Sequence, residues 1–217
     1  MQGVHRFVAR HAGGGVTVPV LVTPEGVLGE SAAIVRYADR YLEEDRRLFP
    51  KDPDLRAGVE ELCRWLDEGL GPDGRRLMYA YMLPEKELML RFNNQGVARW
   101  EGRMLRGLWP LATRWGRWLL DIGDETIRKD TPRVLRAFDA IAERLADGRR
   151  HLFGERFTAA DLTFASLAAA VLVPPEYGVR LPQPDEMPVH IAREVQAFRE
   201  HPAGAYALEL FRTERRS

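Results

Sequence analysis

The chain has 217 residues, which is enough to bury a hydrophobic core in one or two domains. Its 32 basic and 32 acidic side chains cancel, so no net field favours nucleic acid or an acidic membrane as a partner. Its single cysteine, Cys63, excludes an internal disulfide framework, and the five histidines lack the spacing of metal ligands, so we expect a cytoplasmic protein without a metal.

Residues 1–16 contain no acidic side chain and no apolar core of signal-peptide type, which does not indicate secretion. No apolar run approaches the roughly 20 residues of a membrane span, and we expect no membrane partner.

The stretch 17–39 predicts a strand, a tight turn, a second strand and a helix. The segment from Val18 to Val22 is rich in β-formers, and Thr23-Pro24-Glu25-Gly26 suits a type I turn before Val27 and Leu28. From Ala32 the hydrophobic period becomes helical. The expected apolar face of this helix carries Ile34, Tyr37, Ala38, Tyr41 and Leu42, and its expected polar face carries Arg36, Asp39, Arg40, Glu43 and Glu44.

Two features of this stretch point to a ligand. Pro19 lacks an N–H at a strand start, so a cis Val18-Pro19 bond would present the backbone of Val18 to a peptide-like molecule. Glu30 and Ser31 lie where the helix begins, where the Ser31 hydroxyl and free N–H groups would face an anion. Each feature alone has an ordinary structural explanation, since X-Pro bonds are usually trans and serine commonly caps helices.

The run VPVLVTPEGVLGESAAIVRYAD resembles the glutathione-binding half of a glutathione S-transferase. The resemblance implies that Val18 pairs through its backbone with the cysteinyl part of glutathione, that Pro19 is the family's cis-proline, and that Glu30 and Ser31 hold the γ-glutamyl group.

The strand, helix and second strand that carry the family's catalytic Tyr, Ser or Cys have no counterpart in this sequence. We therefore name no catalytic residue, and we assign this role neither to Ser31 nor to Cys63. A hairpin alone is marginal in water. We hypothesise that the chain starts too late, or that the gene is truncated, by roughly forty residues on the lengths such a unit needs.

After the turn-rich link 48–53 the pattern is helical. Apolar residues from Leu55 to Leu66 predict a helix in which Cys63 packs rather than reacts. We expect the stretch 69–74, which contains three glycines and a proline, to interrupt the helix, which then resumes over 75–83. The distance to the later motifs predicts an insertion between Gly71 and Asp130.

Residues 99–120 interleave four tryptophans with five arginines. Such a mixture is compatible with binding of single-stranded nucleic acid or with a membrane surface. We favour a helix pair that buries its tryptophans and keeps its arginines at the rim, because the net charge is zero. In the resembling family this region helps to wall the site of the apolar co-substrate.

A helix is predicted from Val134 to Leu145, and Phe157-Thr158-Ala-Ala-Asp161-Leu162 then carries every part of a helix-start device. Thr158 and Asp161 form a capping box, and Phe157 and Leu162 occupy the staple positions. This run also resembles a motif that supports folding of the second domain in glutathione transferases.

We therefore expect an α+β chain that is mostly α, with a partial thioredoxin-like domain over residues 1–47 and an all-helical domain over residues 54–217. The resemblance implies transfer of the glutathione thiol to a small apolar electrophile and a homodimer, and the zero net charge leads us to expect no nucleic acid partner. The alternative is a non-catalytic binding or assembly protein that keeps the fold without its thiolate-activating segment.

Overall fold

The computed structural model describes residues 19–93, 95 and 98–215. These residues form two compact units, with the division between Arg56 and Ala57. The predicted domain limits, 1–47 and 54–217, stay a prediction.

The first unit begins with a short antiparallel hairpin, β1 (Leu21–Thr23) and β2 (Gly26–Leu28). In its register Leu21 lies opposite Leu28, and Thr23 lies opposite Gly26. The Thr23 hydroxyl donates to the Gly26 carbonyl over 2.8 Å and accepts from the Glu25 N–H over 3.2 Å. Gly26 has a φ of +136°, a conformation that favours glycine. The turn therefore falls at the predicted residues.

Helix α1 (Ser31–Asp39) follows, and a 3₁₀ turn lies at Glu44–Arg46. The expectation that Asp39 belongs to an exposed polar face is wrong, because Asp39 is buried. Its carboxylate accepts a hydrogen bond from the Leu48 N–H over 2.5 Å. Ending the helix at Asp39 lets this side chain satisfy a backbone donor of the returning chain.

The rest of the described chain is helical. Its helices are α2 (Pro53–Glu68), α3 (Leu70–Met82), α4 (Lys86–Asn93), α5 (Arg99–Gly107), α6 (Trp109–Leu119), α7 (Thr126–Leu145), α8 (Ala159–Leu172), α9 (Val189–Glu200) and α10 (Pro202–Thr213), with a 3₁₀ turn at Pro184–Glu186.

The core of the second unit surrounds α8, which is apolar on nearly all sides and packs against α3, α9 and α10. Phe164 of α8 meets Phe138 of α7 edge to face, with ring centroids 5.6 Å apart, and both rings are fully buried. The ring centroid of Phe198 of α9 lies 5.2 Å from that of Phe138. An all-round apolar helix is stable in water only when others surround it, and α3, α7, α9 and α10 do so here.

The predicted interruption over 69–74 is wrong, because the helix breaks at Gly69 alone and α3 begins at Leu70. Pro72 is tolerated since it falls in the first turn, where its missing N–H has no intrahelical partner. A Cβ on Gly71 would lie 3.2 Å from Leu167 of α8, so this glycine serves close helix packing rather than a turn.

An ion-pair network joins α3 to α7. Arg76 of α3 donates to both carboxylate oxygens of the buried Asp130, over 2.5 and 2.8 Å, and to Asp73 over 2.6 Å. The hydrogen bond to Asp130 raises the pKa of Arg76. Bidentate geometry of this kind fixes the two helices in register.

Helices α5 and α6 form the predicted pair, but the expectation that their tryptophans are buried is wrong. Trp100, Trp115 and Trp118 are exposed by 60, 54 and 76 %. No residue of α6 is buried. The helical period of residues 99–120 therefore does not reflect a core-facing side.

Candidate functional site

The first candidate site lies at the start of α1. Ser31 is the first helical residue, and Glu30 precedes it with extended backbone (φ −123°, ψ 136°). Both residues are exposed, and Glu30 makes no side-chain capping bond within the described part of the chain. The first intrahelical bond is donated by the Ile34 N–H to the Glu30 carbonyl over 3.0 Å. The earlier N–H groups of this turn have no acceptor within the helix and point at any anion bound there.

The hairpin register determines which residues lie near this helix start. Because Leu21 pairs with Leu28, the chain entering β1 and the chain leaving β2 lie at the same end of the hairpin. Pro19 stands two residues before Leu21, is exposed and belongs to no regular element. Ser31 stands three residues after Leu28. The fold thus brings Pro19 and Ser31 to one end of the hairpin, while Val18 lies outside the described residues.

A cationic groove of about 450 Å³ lies along the hairpin and α1, and it does not include Glu30 or Ser31. Its lining includes Arg36, Arg40 and Arg56. Arg40 pairs with Glu25 over 2.9 Å, and this bond raises the pKa of Arg40. The hydrophobic pattern predicts Arg36 and Arg40 on the polar face of the helix but does not predict the groove, because the pairing of Arg40 with Glu25 depends on the turn.

A second pocket, of about 350 Å³, lies within the helical unit between α3, α4, α8 and the segment 173–182. Methionines Met78, Met82 and Met89 contribute to its wall. Methionine is flexible and polarizable, so such a wall adapts to ligands of different shape. The wall also includes Arg75, Tyr79, Leu88, Phe92, Ser166, Ala169, Ala170, Val173, Tyr177, Val179, Arg180, Leu181 and Pro182. No residue of 99–120 is in this wall. The sequence pattern does not predict this pocket.

Two cations lie close to the ring of Phe92 in the pocket wall. The guanidinium groups of Arg91 and Arg180 each lie 5.2 Å from its ring centre. Both arginines also pair with Glu186, over 2.8 and 2.7 Å. The hydrogen bond from the Gln183 N–H, followed by the contact with Arg180, lowers the pKa of Glu186. One carboxylate thus holds both arginines near the Phe92 ring.

Arg75 is the other cation of the pocket. It is exposed, and the described residues give it no hydrogen bond or ion pair. The pocket therefore combines an apolar wall with one positive charge that is open to an anionic group of a ligand.

The capping residues Thr158 and Asp161 lie at the start of α8, where both bonds of a capping box are present. Asp161 is fully buried and also accepts from the Leu152 N–H over 2.8 Å and from the Tyr206 hydroxyl over 2.5 Å. Burial, and after it the Asp161 charge, raises the pKa of Tyr206. Asp161 thus joins the α8 start to a preceding loop and to α10.

Cys63 is half-buried on α2, and its sulfur accepts a hydrogen bond from Thr163 over 3.5 Å. Among the residues that the structure describes, no group of histidine, cysteine and acidic side chains is arranged to hold a metal ion. In the same residues, no helix combines the length and the apolar character needed to cross a membrane.

Two family models match the sequence. The N-terminal domain of glutathione S-transferase matches residues 1–45, and the C-terminal domain of glutathione S-transferase matches residues 124–199. The two matches together cover more than half of the chain and include the α1 start and the Thr158 capping box. The comparison with curated proteins finds no match.

The chain is also similar to three solved structures. Beta-etherase LigF from Sphingobium sp. strain SYK-6 is 19 % identical with a TM-score of 0.53, over 89 % of this chain and 78 % of that chain. A glutathione S-transferase from Methylobacterium radiotolerans JCM 2831, in complex with glutathione sulfonate, is 18 % identical with a TM-score of 0.42, over 89 and 72 %. A glutathione S-transferase from Rhodospirillum rubrum F11 is 19 % identical with a TM-score of 0.43, over 93 and 73 %.

The predicted fold class, a partial thioredoxin-like domain followed by a helical domain, is confirmed by the family models together with the observed hairpin and helices. The chain belongs to the glutathione S-transferase family.

Proposed function

We propose that the protein is a glutathione transferase that moves the thiol of glutathione onto a small apolar electrophile. The observation that carries this proposal is the hairpin register, which brings Pro19 and the open start of α1 at Ser31 to one end of the hairpin. The match of residues 1–45 to the glutathione S-transferase N-terminal domain supports the same assignment.

We assign Val18, Pro19, Glu30 and Ser31 to glutathione binding. The Ser31 hydroxyl and the first-turn N–H groups suit the γ-glutamyl carboxylate, which the helix dipole also favours. The Glu30 carboxylate suits the ammonium group of the same moiety. The backbone of Val18, ahead of Pro19, is assigned to the cysteinyl part.

In the proposed reaction the thiolate sulfur forms a bond to carbon, and the leaving group departs with its electron pair. We assign no residue to activation of the thiol. The pocket lined by Met78, Met82 and Met89 suits the apolar electrophile, since its wall is largely apolar and adaptable. The family resemblance further supports a cytoplasmic location and a homodimer. Sedimentation of the purified protein tests the homodimer.

Calorimetric titration with glutathione tests the binding residues. Ser31→Ala removes a charge-assisted bond worth about 1.5 to 3 kcal/mol, so we expect glutathione affinity to fall by about ten- to one-hundredfold. Thr213→Val is the control, because it also removes an exposed hydroxyl, lies at the end of α10 and lines neither pocket, so it should leave glutathione affinity unchanged. Equal affinity of the Ser31→Ala variant and the unaltered protein would refute the assignment.

Conjugation of glutathione to a chlorodinitrobenzene tests turnover. A transferase produces the conjugate at a rate that rises with enzyme concentration. A protein that binds glutathione in calorimetry but forms no conjugate above the uncatalysed rate would instead be the non-catalytic binding protein of this fold.

A further inference from the structure

We propose that one face of α5 and α6 is an interfacial surface that binds anionic phospholipid membranes. This face, the α5–α6 apolar face, is formed by Trp100, Met104, Leu108, Leu111, Trp115 and Trp118, all of them exposed. The inference is independent of the proposed transferase activity. It departs from the expectation of no membrane partner, which rested on the zero net charge and on the lack of an apolar run long enough to span a bilayer.

The spacing of these residues produces a continuous stripe on each helix. Trp100 and Met104 are one helical turn apart on α5, and Leu111, Trp115 and Trp118 follow the same spacing on α6. Leu111 is 66 % exposed and Trp118 is 76 % exposed. A soluble monomer rarely leaves so many large apolar side chains together in water.

Arginines border this stripe. Arg103 follows Trp100 by three positions, and Arg114 precedes Trp118 by four, so each arginine flanks the apolar side of its helix. Both are exposed, and the described residues provide neither with a hydrogen bond or an ion pair. Arg106, in contrast, pairs with Glu87 over 2.7 and 2.8 Å.

The charge of the segment is strongly one-sided although the charge of the chain is zero. Residues 99–120 contain five arginines and one acidic residue, Glu101. Helices that lie in a membrane interface combine this cationic flank with tryptophan and leucine on the apolar side. Lipid headgroups supply the opposite charge, and acyl chains cover the apolar side chains.

Two other occupants fit this face less well. A symmetric contact would bring this face of two copies together, so Arg103 and Arg114 of both copies would gather in one interface with only Glu101 of each copy to offset them, which disfavours that contact. Single-stranded nucleic acid would stack on the tryptophans, but Met104 and Leu111 offer no ring to a base.

The segment also lies outside both family-model matches, which end at residue 45 and resume at residue 124.

Co-sedimentation of the full chain with vesicles tests the inference. We expect binding to vesicles of equal parts phosphatidylcholine and phosphatidylglycerol, and much weaker binding to phosphatidylcholine alone. Arg103→Gln with Arg114→Gln should weaken partitioning by about fivefold for each arginine. Trp115→Ala with Trp118→Ala should weaken it by about tenfold or more.

Matched controls use exposed residues of the same types elsewhere in the helical unit. Trp65→Ala, on a side chain 45 % exposed, and Arg64→Gln with Arg136→Gln should leave partitioning unchanged. Equal losses in the control variants, equal binding to both vesicle types, or no binding would overturn the proposal. Two other results would also overturn it. The first is that the Trp115→Ala/Trp118→Ala variant loses self-association but keeps vesicle binding. The second is that this variant loses binding to a single-stranded oligonucleotide but keeps vesicle binding.

Discussion

Replacing Asp161 with alanine should be among the most destabilising changes in the helical unit. Its carboxylate accepts from the N–H and the hydroxyl of Thr158, both over 2.7 Å, from the Leu152 N–H over 2.8 Å and from the Tyr206 hydroxyl over 2.5 Å. The two hydroxyls can reorient, but the two backbone N–H groups cannot. Each buried donor left unsatisfied costs about 1 to 3 kcal/mol, so the two give a loss of about 4 kcal/mol.

Urea unfolding followed by far-UV circular dichroism measures this loss. Asp185→Ala is the control, because this aspartate is exposed and its removal should change stability by less than about 0.5 kcal/mol. If Asp161→Ala does not fold, Asp161→Asn keeps one oxygen as an acceptor and should cost about half as much. A loss for Asp161→Ala no larger than about 1 kcal/mol, the cost of an ordinary exposed cap, would refute the reasoning.

Two further predictions concern α10. Because burial raises the pKa of Tyr206, the unfolded chain releases this proton near pH 10 while the folded chain keeps it, so stability should fall as the pH rises above about 10. Urea titrations across this range should show a smaller alkaline loss for Tyr206→Phe than for the unaltered protein, and equal slopes would contradict the pKa shift. Gly204→Ala should prevent stable folding, because a Cβ there would overlap the Phe198 carbonyl. Gly107→Ala is the control since its Cβ would meet nothing, and comparable thermal unfolding of the two variants would count against this packing.

Local signals were sufficient for the hairpin turn and for the start of α8. The turn at Thr23–Gly26 follows from residues that each prefer their own position. The residues Thr158 and Asp161 satisfy each other within four positions, so the sequence alone contains both partners of the capping pair. The link from Asp161 to Tyr206 spans 45 positions and leaves no local pattern.

Predictions failed where tertiary contacts override local preference. The stretch around Gly71 has the composition of a turn, yet Gly71 lies within α3 and allows that helix to approach Leu167 of α8 closely. Asp39 has the type and position of a surface residue, but a distant backbone donor draws it inside. The methionine-lined pocket was missed because its wall comes from three helices and a loop, and no single stretch of sequence indicates it.

The position of Glu186 has a consequence for ligand affinity. One carboxylate anchors Arg91 of α4 and Arg180 of the segment after α8, and both guanidinium groups lie close to the Phe92 ring. Glu186 itself does not line the pocket. Neutralising this one side chain would release both anchors together, so how long a molecule resides against Phe92 depends on a residue that the molecule never contacts.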